Sequence, residues 1–246
     1  MGKLIAFVGP PGGGKTSVAM KTAIETYCAT KSNEIVFLSP DFNVPSLGLI
    51  FPNYGDEELR SLGNVYDSTD VTFETVAENA VTVKSMSDLL ILGFKSGETR
   101  LSFPLPTDQT ITDLFSVLIR NTSFTFVDCS DDNLDPLSEN AVRLADVIVR
   151  VIPADLKGMG WYSTNKYLHG SEGRKFLNVV TLTHKDLYLP DDEIKTKIGD
   201  VTTMLPYSRP LAQQMLDGRL YERLKDSGYN RRLKDLVTQI LRLEDN

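Results

Sequence analysis

An apolar run, Leu4–Val8, leads directly into Gly9-Pro10-Pro11-Gly12-Gly13-Gly14-Lys15-Thr16, and a helix-period segment, Thr16–Thr30, leaves it. This order satisfies G-x-x-x-x-G-K-[ST] in full, between a strand and a helix, which is the arrangement that binds a nucleoside triphosphate. Glycines let the backbone curl so that successive N–H groups point inward on phosphate. The helix that opens near Lys15 adds the partial positive charge of its N-terminus. Lys15 is expected to reach the β- and γ-phosphates, and the Thr16 hydroxyl to ligate a bridging Mg²⁺, with Ser17 completing the nucleotide contacts.

The rest of the chain gives this loop a sheet to sit on. Seven short apolar runs stand out: Leu4–Val8, Ile35–Ser39, Leu89–Gly93, Phe124–Asp128, Val147–Ile152, Phe176–Thr183 and Val201–Leu205. Most are continuous rather than alternating, as in strands buried on both faces of a parallel sheet. Helix-period segments at Thr16–Thr30, Thr110–Arg120 and Leu134–Ala145 lie between them. Strand–helix alternation predicts an α/β P-loop fold: a doubly wound, mainly parallel sheet of about seven strands flanked by helices. The 246 residues fit one such domain, and 41% hydrophobic residues suffice for its core. The stretch Pro52–Thr82 reads as loop plus a helix near Phe73–Ala80, and the chain closes on an amphipathic helix, Asn230–Leu243, with Leu233, Leu236, Val237, Ile240 and Leu241 on one face.

A triphosphate site also needs a carboxylate for the metal. Asp128 ends the run FTFVD, which places it at the carboxyl end of a strand beside the loop. The alternative role for such an Asp is a helix N-cap or turn. Asp41 follows IVFLSP, again just past a strand. It either positions the attacking water, or a water on Mg²⁺, or is a solvated loop carboxylate.

Taken in order, these blocks resemble the MinD/ParA superfamily of P-loop ATPases over most of the chain. That family has a strand ending in D-x-D and then a segment like PSL; here Ser39-Pro40-Asp41 precedes Pro45-Ser46-Leu47. Asp41 matches the second Asp, which the resemblance implies helps hold the hydrolytic water, and Ser39 replaces the first. The family's D-x-P-x-G and A-D blocks correspond to Asp128-Cys129-Ser130-Asp131-Asp132 and Ala145-Asp146-Val147. Its closing loop and G-x-P-L block correspond to Leu205-Pro206-Tyr207-Ser208-Arg209 and Asp217-Gly218-Arg219-Leu220. The resemblance implies Mg-ATP, a nucleotide-dependent homodimer, and protein partners in a larger machine. Its nearest flavour is the TadZ/CpaE-like group associated with pili and secretion, although a strand beginning at Leu4 fits partition ATPases equally.

Two positions depart from the family. Its P-loop carries a Lys that crosses the dimer, and that position is Pro10. Its switch Gly, which senses γ-phosphate, is Asp132, whose carboxylate repels phosphate unless turned away. Both point to slow hydrolysis or to another rule of dimerisation, so an ATP-binding scaffold that barely hydrolyses is a rival reading. A phosphotransferase or ligase is a second, without a visible acceptor motif.

Thr183-His184-Lys185-Asp186 resembles the guanine-reading N-K-x-D, but His stands where Lys should follow the first residue. His184, with Pro206 and Tyr207, suits an adenine pocket by analogy, against a plain loop histidine. Asp155–Gly170, with Met159, Trp161, Tyr162 and Tyr167, is either a partner surface or a helix packed on the sheet. Late basic residues (Arg219, Arg223, Lys225, Arg231, Arg232, Lys234 and Arg242) alternate with acids, which is the pattern of a solvated helix face. Membrane or DNA contact there is open but not indicated. The net charge of -7 does not favour nucleic acid over the whole surface. Cys28 and Cys129 lie far apart and the histidines are His169 and His184, which disfavours zinc and suits a reducing cytosol. No signal peptide or membrane span is visible, so a cytoplasmic protein is expected, with a peripheral membrane association left open.

Overall fold

The computed structural model describes residues 1–30, 34–55, 57–132, 135–167 and 175–242. The chain begins β1 (Lys3–Val8), α1 (Lys15–Thr30), β2 (Ile35–Ser39), α2 (Ser46–Ile50), α3 (Leu62–Tyr66), α4 (Phe73–Glu78), β3 (Val81–Val83) and β4 (Met86–Gly93). It continues α5 (Asp108–Asn121), β5 (Phe124–Asp128), α6 (Pro136–Leu144), β6 (Val147–Pro153), α7 (Leu156–Asn165) and β7 (Lys175–Thr181). It ends α8 (Asp191–Ile198), β8 (Thr203–Leu205), α9 (Arg209–Leu216) and α10 (Ser227–Leu241).

Among the described residues, eight strands form one sheet in the order β3-β4-β2-β5-β1-β6-β7-β8. Every neighbouring pair is parallel except β3 with β4. This is the doubly wound α/β sheet that the continuous apolar runs predict. Side chains of β1 alternate between two layers. Ile5 and Phe7 pack with α1 and α10, while Leu4, Ala6 and Val8 pack with α5 and α6. Both faces are covered by helices, so both are mainly apolar.

The eighth strand, β3, was not anticipated. Only Lys84 and Ser85 separate it from β4, and so short a connection can join strands only as an antiparallel hairpin. Its three residues include Thr82, so no apolar run announces it. Within 52–82 the structure adds α3, capped by Ser61, to the helix at Phe73, capped by Thr72.

The closing helix begins earlier than its apolar stripe, because Asp226 accepts hydrogen bonds from the Gly228 and Tyr229 N–H groups. Its predicted end, Leu243, lies outside the described residues. Leu233, Leu236, Val237 and Ile240 are buried and Leu241 is half-buried. Each such burial contributes about 2 kcal/mol, and the apolar face is spent on the core. Among the described residues, no helix is long and apolar enough to cross a membrane. Met159 and Tyr162 of α7 are buried, which is the packed-helix alternative for that segment, while Tyr167 beyond it is exposed. Residues 168–170 of that segment, with His169, lie outside the described residues.

The topology sets the site. From β1 the chain moves to one side through β2, and later to the other through β6, β7 and β8. A crevice therefore opens at the carboxyl end of β1, where a ligand can enter between the diverging connections.

Candidate nucleotide site

The segment Gly9–Thr16 leaves β1 and wraps into α1. Gly12 and Gly14 have φ of 77° and 84°, a left-handed conformation that side chains resist and glycine adopts freely. The loop is tied from two directions. The Gly13 N–H donates to the Pro10 carbonyl at 3.2 Å, and the Thr181 hydroxyl at the end of β7 donates to the Gly13 carbonyl at 2.8 Å. Pro10 is buried and Pro11 exposed.

Lys15 lies within the site rather than in solvent. Its Nζ donates to Asp131 Oδ1 at 2.9 Å and to the Cys129 carbonyl. Burial alone would lower the Lys15 pKa, but Asp128 and Asp131 beside it outweigh burial and hold it above the ordinary lysine value. Asp128 ends β5, paired in register with Phe7 of β1. Burial pushes its carboxyl up from the usual range. Lys15 and the Thr16 hydroxyl oppose that rise, and Asp41 and Asp131 add to it. Asp128 Oδ2 accepts a long bond of 3.4 Å from the Ser39 hydroxyl at the end of β2, while Oδ1 is buried without a partner. A buried, unsatisfied carboxylate oxygen beside a Thr hydroxyl and a phosphate loop is a donor set that fits Mg²⁺. Among the described residues no group of His, Cys, Asp and Glu could hold a metal alone, so phosphate oxygens would have to complete the shell.

Asp41 stands near enough to raise the pKa of both Asp128 and Asp135. Its Oδ1 accepts from the Asn43 and Val44 N–H groups at 2.8 and 3.2 Å, which fixes its direction. Asp132 does not confront the phosphate position alone: its carboxylate is ion-paired with Arg100, from the segment between β4 and α5. The Asp128–Asp132 segment is held by the first turn of α6. The Ser130 N–H donates to the Ser138 hydroxyl at 2.7 Å, and Asp135 caps that helix.

Beside the loop opens a cavity of about 220 Å³, walled by Gly12–Gly14, Thr183, Pro206, Tyr207, Leu211 and Met215. Pro206 and Tyr207, expected beside the base, both line this cavity. Ser17 is turned towards this wall, its hydroxyl donating to the Met215 sulfur at 3.3 Å. His184 is exposed and does not line the cavity. The chain leaves β7 at Thr181, Leu182 still pairs with Leu205, and Leu182 and Thr183 form the wall before His184 turns to solvent.

No protein-family model and no curated protein matches this sequence. Solved structures match its fold. MinD from Pyrococcus horikoshii, complexed with Mg-ADP, superposes with a TM-score of 0.77 at 15% identity, covering 99% of this chain and 98% of that one. A ParA family ATPase from Chlorobium tepidum gives 0.72 at 14% identity, over 97% and 99%. A chain of the MinC:MinD cell division protein complex of Aquifex aeolicus gives 0.70 at 12% identity, over 97% and 96%.

This chain has the MinD/ParA fold.

Within the MinD/ParA fold, the loop, Asp128 and Asp41, which the sequence singles out, lie close together. The sequence missed the residues that come from elsewhere in the chain. Asp131 was visible only as a position in the switch block, and nothing marked it as the partner of Lys15. Thr181 and Met215 carry no local signal, since each acts through a contact more than a hundred residues away.

Proposed function

We propose that this chain binds Mg-ATP as a MinD/ParA-like ATPase, and that its nucleotide state controls assembly with a second copy and with protein partners. The observation that carries the reading is the convergence of Lys15, Thr16 and Asp128 beside a cavity walled by Pro206, Tyr207 and Leu211. The loop amides and Lys15 would hold phosphate, and the base would enter the cavity. Thr16 and Asp128 would hold Mg²⁺, which neutralises phosphate charge when bound. Asp41 would orient water through Oδ2, since Oδ1 is taken by two backbone amides. Chemistry of this kind needs positioning and electrostatics, with little covalent work by the protein.

The role that fits is a cytoplasmic factor that places other machinery, of the pilus and secretion type or the partition type. Titration calorimetry with Mg-ATP and Mg-GTP, a phosphate-release assay, and size-exclusion mass with ADP, ATP and no nucleotide test it. Binding of Mg-ATP with a mass increase is expected. Absence of Mg-ATP binding overturns the reading, and a mass unchanged across the three states removes the dimer switch.

A scaffold that binds ATP but scarcely hydrolyses it is the second reading. It is favoured by Pro10, which supplies no cation, and by the engagement of Lys15 with Asp131. Tight binding with negligible turnover would select it. ATP consumption that depends on a small-molecule acceptor would instead select a phosphotransferase or ligase.

A further inference from the structure

Lys157 lies outside the phosphate loop in sequence but touches it in space. Its Nζ donates to the Pro11 carbonyl at 2.7 Å, across 146 residues of chain. The position is built. Asp155 caps α7, accepting from the Gly158 N–H at 2.7 Å. A side chain at Gly158 would meet the Pro153 carbonyl at 2.0 Å, so glycine there lets the first turn of α7 sit against the end of β6. Pro153 in turn lies 3.0 Å from where a Cβ of Gly13 would be. The first turn of α7, the end of β6 and the phosphate loop are therefore one packed unit, and Lys157 projects from it along the exposed rim of the loop.

The charges around the loop give this lysine a task. Asp41, Asp128, Asp131 and Asp132 crowd the mouth of the site. The loop contains a single cation, Lys15, already ion-paired with Asp131, and Arg100 is ion-paired with Asp132. Beside the Mg²⁺ of the proposed site, a triphosphate entering this acidic setting gains from a further positive charge. The bond that Lys157 makes is to a neutral carbonyl, at an exposed side chain, so it can be exchanged for a charge-assisted bond to phosphate at small cost.

We propose that Lys157 is the second phosphate-binding cation of this site, exchanging the Pro11 carbonyl for the terminal phosphate of a nucleoside triphosphate bound to the same chain. The proposal rests on the nucleotide reading above. It extends that reading by predicting a preference for triphosphate over diphosphate.

The test compares the full chain with Lys157→Ala and Lys157→Arg, titrated with Mg-ATP and Mg-ADP. Lys157→Ala should weaken ATP roughly tenfold, the effect of one charge-assisted contact, and ADP much less, while Lys157→Arg keeps most of the ATP affinity. An ATP affinity within twofold of wild type in Lys157→Ala overturns the proposal. So does an equal loss for ATP and ADP with a lowered unfolding midpoint, which is the mark of a structural tether. A loss seen only at concentrations where the chain is dimeric overturns the assignment to the same chain. Wild-type protein that binds neither nucleotide overturns the underlying reading, whatever the variants do.

Discussion

Lys15 and Asp131 form an ion pair at 2.9 Å across the mouth of the phosphate loop. The carboxylate holds the ammonium group that the proposed phosphate contact would also use. If Lys15 binds phosphate as proposed, one anion is exchanged for another and Asp131 competes with the nucleotide. Replacing it with Asn should strengthen Mg-ATP binding, by up to about fivefold, the worth of a partly exposed pair. Calorimetry of Asp131→Asn reads this directly, and a weakened affinity would show that Asp131 organises the site instead of competing for it.

Asp128 makes the opposite prediction. Burial raises its pKa, so the folded protein disfavours its charged form. A neutral isostere should then cost the fold little: Asp128→Asn is expected to change unfolding free energy by less than about 1 kcal/mol. Function should suffer instead, because the buried Oδ1 lacks a partner until a cation arrives. ATP affinity in the variant should no longer rise on adding Mg²⁺. A variant with intact Mg²⁺ dependence would remove Asp128 from the metal site.

The base cavity can be tested separately from the phosphate loop. Ala212 of α9 lines it. Ala212→Trp should fill the cavity and weaken ATP at least tenfold, while inorganic triphosphate binds as in wild type; a methyl-to-indole change exceeds what a packed wall absorbs. Equal loss of both ligands would mean that the cavity does not hold the base.

Lys21 gives a pH signature. It is buried on α1, donates to the carbonyls of Leu220 and Glu222 at 2.6 Å each, and burial lowers its pKa to about 7, against the nearby Glu222 and Glu25. A base whose folded pKa lies below its unfolded value holds fewer protons when folded. Stability therefore rises with pH between about 7 and the ordinary lysine value of 10.5. Relative to Lys21→Met, wild type should gain on the order of 2 kcal/mol from pH 7 to 9 by this linkage. Urea denaturation at the two pH values measures it, and a difference independent of pH contradicts the lowered pKa.

The positions where the structure departs from the sequence expectation each have a local or tertiary reason. The helix at Ser227 starts before its apolar stripe because a cap, not the stripe, opens it. Strand β3 carries too little apolar signal to be seen, and exists because β4 offers a free edge two residues away. The position of His184 just past a strand suggests the base pocket, but the direction it faces is decided by how the segment after β7 turns.

The sequence by itself determined what is local: the Gly9–Thr16 loop, the strand that leads into it, and Asp128 at the end of FTFVD. Those follow from backbone conformation and from burial on both sheet faces, which a short stretch of chain encodes. Only the tertiary structure decided which charges meet there. Asp131 on Lys15, Arg100 on Asp132 and Lys157 on the rim of Pro11 are contacts between segments far apart in the chain, set by strand order. No periodicity or motif spacing records them, because an ion pair depends on distance in space and not on separation along the chain.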